Sequence, residues 1–334
     1  GNTPIEMTTK LQNGGYRKMP LALPPDSEGD KQGRLWSVRR NFTTYAKPDG
    51  FFRIQSFRES QQHDPTTITH DPYCCLISAV KLPDNCTTTV SGIDYRTLQP
   101  KQITDPNGNV QEALYDAFGQ VQATTYHKSN ADGVTGFKPI ASYIRRYDGR
   151  PDIAIEQPAR GIQDVASACF YDTLSWMGRI AATTPAEMEW RNQAVELGDL
   201  LPGGHVRASA RIRLSSLGTK TSYEQELQKR IENTQREPVH CATIQADRYS
   251  TDVDSQFRIT IACWDGFGRP LQRKQKVDPG TAWVVDTDGA LRQVGNKPQS
   301  HETSHRWRVS ERTEYDSKGL VIRAYRPYFS DRHR

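Results

Sequence analysis

The sequence predicts a mainly β protein made of antiparallel β-hairpin strips, with a small helical insertion around residues 185–237. Three observations predict it. From about Thr67 onward, short runs of β-branched and aromatic residues are broken by Asp, Asn, Gly and Pro, the texture of strands joined by tight turns. One turn pattern recurs along the chain: an aromatic residue, Asp, two residues, then Gly. A single stretch between the β regions has helix-capping residues and helical spacing instead.

Composition agrees with a surface-rich architecture. Hydrophobic residues are 35% of 334 positions, and with the 24 glycines the apolar share is about 42%, below the roughly 45–50% of an ordinary globular domain. The charge of +5, spread over 44 basic and 39 acidic residues, is too mild for a dedicated nucleic-acid binder. No run approaches the roughly 18 apolar residues of a membrane helix, and residues 1–10 lack the layout of a signal peptide. Gly1 in place of Met points to a cut within a longer chain or a cloning remnant. The six cysteines include no C-x-x-C pair and read mainly as small hydrophobes.

Four regions follow in order. Residues 1–66 are polar, with Gly14-Gly15, Pro24-Pro25 and a mixed-charge stretch from Asp26 to Arg34, and are expected to form an arm or irregular segment. Residues 67–183 are a first β region. Residues 184–238 are the helical insertion: Thr184-Pro-Ala-Glu187 is a capping box with Pro at the first helical position, followed by Ala186, Trp190, Ala194 and Leu197, with Gly198 as the stop. Ser222-Tyr-Glu-Gln225 opens a second helix with Tyr223, Leu227 and Ile231 on one face and Pro238 beyond it. Between them, Val206–Leu217 fits both periods and is left open. Residues 239–334 are a second β region, whose clearest strand, Phe257–Cys263, places Phe257, Ile259, Ile261 and Cys263 on one face.

The strict copies of the turn are Tyr115-Asp116-Ala-Phe-Gly119, Trp264-Asp265-Gly-Phe-Gly268 and Tyr315-Asp316-Ser-Lys-Gly319. A looser copy runs from Tyr171-Asp172 to Gly178, with two extra residues before the glycine. Asp105-Pro-Asn-Gly108 and Asp286-Thr-Asp-Gly289 have the turn without the aromatic. Asp at a turn entrance accepts hydrogen bonds from backbone N–H groups further on, and Gly takes the positive-φ position where a Cβ would clash. The aromatic closes the incoming strand, where its ring can pack on a neighbouring hairpin for roughly 0.2–1 kcal/mol.

Tyr-Asp-x-x-Gly followed by a strand resembles the YD repeat of the Rhs/YD-repeat family. Longer blocks resemble the middle region of the B component of tripartite insecticidal Tc toxins: Gly92–Pro100 continuing through Thr104–Asn109 to Gly119, then Trp264–Arg269 with Gln272-Arg-Lys and Asp278-Pro-Gly280, then Arg306-Trp-Arg-Val through Lys318-Gly to Tyr325–Ser330. The resemblance implies a section of a β-hairpin shell enclosing an unfolded cytotoxic segment. It implies as partners the rest of the B component, the C component that closes the shell, the A-component translocation channel and the cargo. It also implies assembly in the cytoplasm followed by release. The gate, the self-cleaving protease and the toxin tail of the family have no counterpart in these residues.

Other constellations are expected to be structural. His63-Asp64-Pro65 and His70-Asp71-Pro72, near Cys74 and Cys75, have zinc-type ligands, yet adjacent cysteines rarely share one ion and Asp before Pro is turn chemistry. His240 and Cys241, as neighbours in a strand, point to opposite faces. Glu187 belongs to its cap rather than to a pair with Glu189. Asn41-Phe-Thr43 and Asn85-Cys-Thr87 match a sequon frequent by chance, and Arg323, Arg326, Arg332 and Arg334 make a solvated basic edge. No P-loop, G-x-S-x-G or G-x-G-x-x-G occurs. The expectation is therefore no enzyme, no cofactor and no metal, no nucleic-acid partner and no direct membrane insertion. The alternative is a β-rich module binding glycans or a host surface molecule, which requires several of Trp176, Trp190, Trp264, Trp283 and Trp307 exposed in one groove. A single-layer curved wall also explains the low apolar share, since it has less interior per residue than a sphere.

Overall fold

The computed structural model describes residues 4–18, 36–38, 40–130, 133–144, 150–249, 251–252, 254–286 and 289–333. Pro24-Pro25 and the stretch from Asp26 to Arg34 lie outside them, as do Thr287, Asp288 and Arg334. The chain divides into two compact units, Gly1–Gln120 with Thr125–Pro139, and Val121–Thr124 with Ile140–Arg334.

In the first unit, α1 (Pro4–Asn13) precedes β1 (Tyr16–Lys18) and β2 (Trp36–Val38), an antiparallel pair. A meander follows: β3 (Phe42–Tyr45), β4 (Ile54–Arg58), β5 (Thr66–His70), β6 (Ile77–Lys81), β7 (Thr87–Asp94), β8 (Gln99–Thr104) and β9 (Asn109–Tyr115), each antiparallel to the next. β10 (Val121–Asn130), whose first four residues belong to the second unit, pairs with β11 (Gly133–Gly136). The sheet thus reaches back to Phe42, ahead of the change of texture at Thr67. Cross-strand side chains rather than burial hold this early pair: the Thr44 and Ser56 hydroxyls are 2.6 Å apart, and Arg58 lies 5.7 Å from the Phe42 ring centre. Such contacts leave no apolar signature in sequence.

The register sorts the meander into two faces. Ser56, Thr67, Lys81 and Thr87 line one, and Phe57, Ile68, Val80, Val90 and Ile103 the other. Ile68, Val80, Val90 and Ile103 are half-buried, and Thr67 and Lys81 are exposed. Phe137 is the one fully buried hydrophobic side chain among the described residues of this unit. A sheet without a second layer packed on it closes no deep core.

The second unit holds the core. α2 (Pro151–Glu156) and α3 (Pro158–Ile162), each started by a proline at the first helical position, pack on β12 (Ser167–Asp172), β13 (Val239–Ala246) and β14 (Phe257–Trp264). A Cβ at Gly161 would lie 3.1 Å from Phe170 Cζ, so the missing side chain lets α3 sit close on the sheet. Ile155, Ile162, Phe170, Ile244, Ile259 and Ile261 are buried here. The β14 alternation holds, with Ile259 and Ile261 inside and Arg258 exposed. The insertion's helices, α4 (Pro185–Glu196), α5 (Ala208–Ser216) and α6 (Ser222–Glu232), lie between β12 and β13 in the chain.

The sheet continues β12–β13–β14–β15 (Pro270–Lys276) and then, beyond β16 (Gly280–Trp283), β17 (Gln293–Val294), β18 (Lys297–Pro298) and β19 (Ser300–Thr303), to β20 (Trp307–Tyr315) beside β15. β20 pairs along one half with β21 (Val321–Ala324) and along the other with β22 (Tyr328–Ser330). β16 pairs with β19 and meets β22 at Trp283 and Ser330, and β17 pairs with β18.

β12 and β13 are direct antiparallel neighbours, Asp172 opposite His240. The helices therefore stand where a hairpin turn would be. They enclose their own core of Ile180, Ala194, Leu200, Val206, Leu214, Leu227 and Ile231. Thr184 and Glu187 form the expected capping box, and Gly198 at φ 77° ends α4. One point differs from the sequence expectation and one settles what it left open. α6 is capped one residue earlier, by Thr221 with Glu224 rather than Ser222 with Gln225; a glutamate carboxylate accepts backbone N–H groups more strongly than an amide does. The open stretch is helix, because Ala210 and Leu214, one turn apart, bury together while Ile212 points out, 69% exposed.

Candidate functional site

The recurring turn is one structure repeated. In the strict copies the Asp carboxylate accepts two backbone N–H groups through the same oxygen. For Asp116 the donors are Phe118 and Gln120 (2.8 and 2.9 Å), for Asp265 Phe267 and Arg269 (both 2.9 Å), and for Asp316 Lys318 and Leu320 (2.9 and 2.8 Å). The glycines have φ of 81°, 78° and 85°. Asp105, lacking the aromatic, builds the same turn with Asn107 and Asn109 (both 2.8 Å) and Gly108 at 79°. At Asp286 the backbone bonds of the turn are present, Gly289 N–H to Asp286 carbonyl at 3.0 Å, while Thr287 and Asp288 are outside the described residues.

The pattern reaches further than its sequence signature. Asp71 accepts from Tyr73 (3.0 Å) and Leu76 (2.6 Å), with Cys74 at φ 55° where other copies have Gly. Asp94 accepts from the Arg96 N–H (3.0 Å) and is gripped by its guanidinium at 2.9 Å, with Leu98 at φ 52°. The His70-Asp71-Pro72 carboxylate is thus committed to a turn. Asn41 and Asn85, the sequon asparagines, also stand at positive φ, 62° and 69°, which turn geometry explains.

Two pairs of turns stack, Asp94 with Asp116 and Asp265 with Asp316, and a tyrosine does the joining in each. The Tyr115 hydroxyl donates to the Pro100 carbonyl (2.8 Å), on the strand leaving the Asp94 turn, and the Tyr315 hydroxyl donates to the Pro270 carbonyl (3.1 Å), leaving the Asp265 turn. Arg269 pairs with Asp265 (2.6 Å), lies 4.6 Å from the Tyr315 ring centre and fills the space beside Gly319. Arg96 reaches the Asp116 carbonyl (3.5 Å), and a Cβ on Gly119 would come 2.9 Å from Thr97 Cγ2. Gly119→Ala is accordingly expected to cost about 2 kcal/mol, from the left-handed backbone and the clash together, and Gly268→Ala, with nothing near its would-be Cβ, about 1 kcal/mol from the backbone alone. Urea unfolding of the two variants checks the difference.

Electrostatics favour ionised turn carboxylates. Burial opposes ionisation of Asp265, but its bonds from Arg269 and Phe267 outweigh it and hold the carboxyl below its usual range. The Asn109 side chain and N–H do the same for Asp105, and the Arg96 side chain does so for Asp94.

The loose copy is a rooted one. Asp172 accepts from the Leu174 N–H (3.2 Å) and pairs with His205 Nε2 at 3.1 Å, inside the insertion. Buried Ser175 donates to the Pro238 carbonyl (2.7 Å), tying the start of the insertion to its end. The two extra residues accommodate this anchor. Tyr171 instead shares one face with Cys169 and Cys241, a grouping that single-strand reading missed because the cysteines meet only once β12 and β13 pair.

The remaining candidates separate. His240 and Cys241 point to opposite faces, opposite Cys263 and Ala262 respectively on β14. Glu187 is held at about 2 by the Thr183 and Thr184 N–H groups. Arg323 of the basic edge pairs with Glu314 at 3.2 Å. Among the described residues no group of three or more His, Cys, Asp or Glu side chains could hold a metal ion. Of the five tryptophans that a binding groove would need, Trp176 alone is exposed, Trp307 is 2% exposed, and Trp190, Trp264 and Trp283 are half-buried on three different elements. The second unit has a cavity of about 790 Å³ lined by Ile261, Trp307, His240 and Lys274. Lys274 is buried, its ammonium donates to the Arg332 carbonyl (3.1 Å), and burial lowers it to about 8.

No protein-family model and no curated protein sequence matches the chain. Solved structures do. The crystal structure of TcdB2-TccC3-Cdc42 matches 98% of this chain at 26% identity and a TM-score of 0.75, and that of TcdB2-TccC3 without its hypervariable C-terminal region matches 99% at the same identity and score. A mutant form of the Photorhabdus luminescens Tc holotoxin pore matches 99% at 26% identity with a TM-score of 0.73. This chain spans 15% of the length of each. The neighbours are Tc toxin B–C complexes and a Tc holotoxin pore, in agreement with the resemblance to the B-component region carried by the sequence blocks.

Proposed function

We propose that this chain is a wall segment of a Tc-type toxin shell, which encloses and shields a cytotoxic polypeptide before its translocation into a target cell. The observation that carries this reading is the match over nearly the whole chain to Tc toxin complexes. The stacked turns supply the physical logic. The Asp116 turn bonds to the Asp94 turn and the Asp316 turn to the Asp265 turn, so hairpins can add to a strip without needing a second layer. In this reading the partners are the rest of the B component, the C component, the A-component channel and the unfolded cargo, and the assembled complex is released from the producing cell. The turn carboxylates are spent on backbone donors, and the segment carries out no catalytic step. Among the described residues no helix is long and apolar enough to cross a membrane.

A wall segment apart from its neighbours exposes sheet edges. In β21 all four residues are exposed, and Val321 and Ile322 are each 58% exposed beside Leu320 at 64%. The purified chain is expected to self-associate as concentration rises, and Val321→Lys with Ile322→Lys to reduce that association. Light scattering reads the mass. A monodisperse monomer at every concentration would count against the wall reading.

A further inference from the structure

Two of the six cysteines stand together. Cys169 on β12 and Cys241 on β13 lie diagonally on one face, Cys169 opposite Thr243 and Tyr171 opposite Cys241. Both sulfurs contact one hydroxyl, Thr243 Oγ1 being 3.7 Å from Cys169 Sγ and 3.9 Å from Cys241 Sγ. Cys169, Cys241 and Tyr171 share this face, the Cys241 thiol and the Tyr171 phenol being placed to donate to a Cys169 thiolate, so the titratable groups facing Cys169 are Cys241 from the neighbouring strand and Tyr171 from its own.

Their environments differ in the way that stepwise thiol chemistry needs. Cys169 is half-buried and open to a small reagent, whereas Cys241 is 5% exposed. The bond from Cys241, against burial and with help from Thr243 and Tyr171, brings Cys169 down to about 6. The same bond, together with burial, pushes Cys241 far up. Other thiols are placed differently: burial raises Cys263 to about 11, and the Asp84 carboxylate raises Cys86. A low thiolate that is reachable, beside a second thiol that is not, is the arrangement of an attacking and a resolving cysteine.

We propose that Cys169 and Cys241 are a reactive thiol pair for small-molecule disulfides, Cys169 attacking and Cys241 resolving, which closes a disulfide across β12 and β13. The Cys169 thiolate attacks one sulfur of the reagent, forming a mixed disulfide and releasing one thiolate. Cys241 gives up its proton, attacks the Cys169 sulfur and releases the second thiolate. Two protein thiols are oxidised, one small disulfide is reduced to two thiols, and the protons end on those thiols. The bond closes the loop that contains α4, α5 and α6, locking the base of the insertion. Diagonal partners stand further apart than directly opposed ones, so the closed bond draws the strands together and stays easily reducible.

Incubation of the chain with oxidised glutathione, followed by alkylation and peptide mapping, tests this. The wild-type chain is expected to yield a linked Cys169–Cys241 peptide that dithiothreitol releases, and the oxidised form to melt higher than the reduced one. Cys241→Ser is expected to stop at glutathione on Cys169, and Cys169→Ser to leave Cys241 reduced. Alkylation of Cys169 is expected to rise less than about two-fold from pH 7 to pH 9, against about 25-fold for an ordinary thiol. Absence of the linked peptide, or modification of Cys241 in Cys169→Ser at the wild-type rate, would overturn the proposal.

Discussion

Trp307→Ala is expected to destabilise the second unit by about 4 kcal/mol. Trp307 begins β20, opposite Lys276 of β15 and Ser330 of β22, and is the largest fully buried side chain among the described residues. Its ring lies 5.7 Å from that of His333, so it pins the chain end to the sheet. It also walls the cavity that Lys274 lines. Truncation removes a large apolar surface and opens more empty volume beside a buried ammonium, and both effects act in the same direction. Urea unfolding should show a lower midpoint at an unchanged slope, the sign of lost stability rather than a changed denatured state. Trp307→Phe, which keeps most of the wall, should recover more than half of the loss.

Asp172→Ala is expected to cost about 3 kcal/mol, because it leaves His205 buried without its carboxylate and uncaps Leu174. The anchoring of the insertion should suffer first, so hydrogen exchange in α4–α6 should quicken before that in β14. The pH dependence follows from the same contacts. Burial opposes ionisation of Asp172, but the His205 hydrogen bond and charge, the His240 charge and the Leu174 N–H together bring its carboxyl below 3.8. A carboxylate lowered in the folded state contributes its stability above the unfolded value. That contribution fades as pH falls from about 4 through the lowered folded value. Asp94, Asp105 and Asp265 are shifted in the same direction. The chain should therefore unfold in acid below about pH 4, and Asp172→Ala should flatten that acid limb.

What the sequence made legible was whatever depends on neighbours along the chain. The strict turns could be read because Asp and Gly sit three residues apart and bond locally. The α4 cap could be read for the same reason. The faces of β14 showed as an alternation because one side is packed and the other is not. The turns at Asp71 and Asp94 were hidden because Cys74 stands where the glycine would be and the Asp94 turn takes its positive φ one residue later, at Leu98. α2 and α3 were missed because helices of six and five residues are too short to show a period. The tyrosine hydroxyls that join one turn to another, and the Cys169–Cys241 pair, depend on register between strands. In the second case the strands are separated by the whole helical insertion, and no local pattern carries that information.

Wall function is tested most directly by exchange. This chain would replace the matching segment of TcdB2, co-produced with TccC3, and the cargo in the assembled hybrid would be challenged with protease. The expected result is an assembled complex whose cargo survives the protease until the complex is denatured. A complex that assembles while its cargo is degraded at the rate of free polypeptide would contradict a shielding wall.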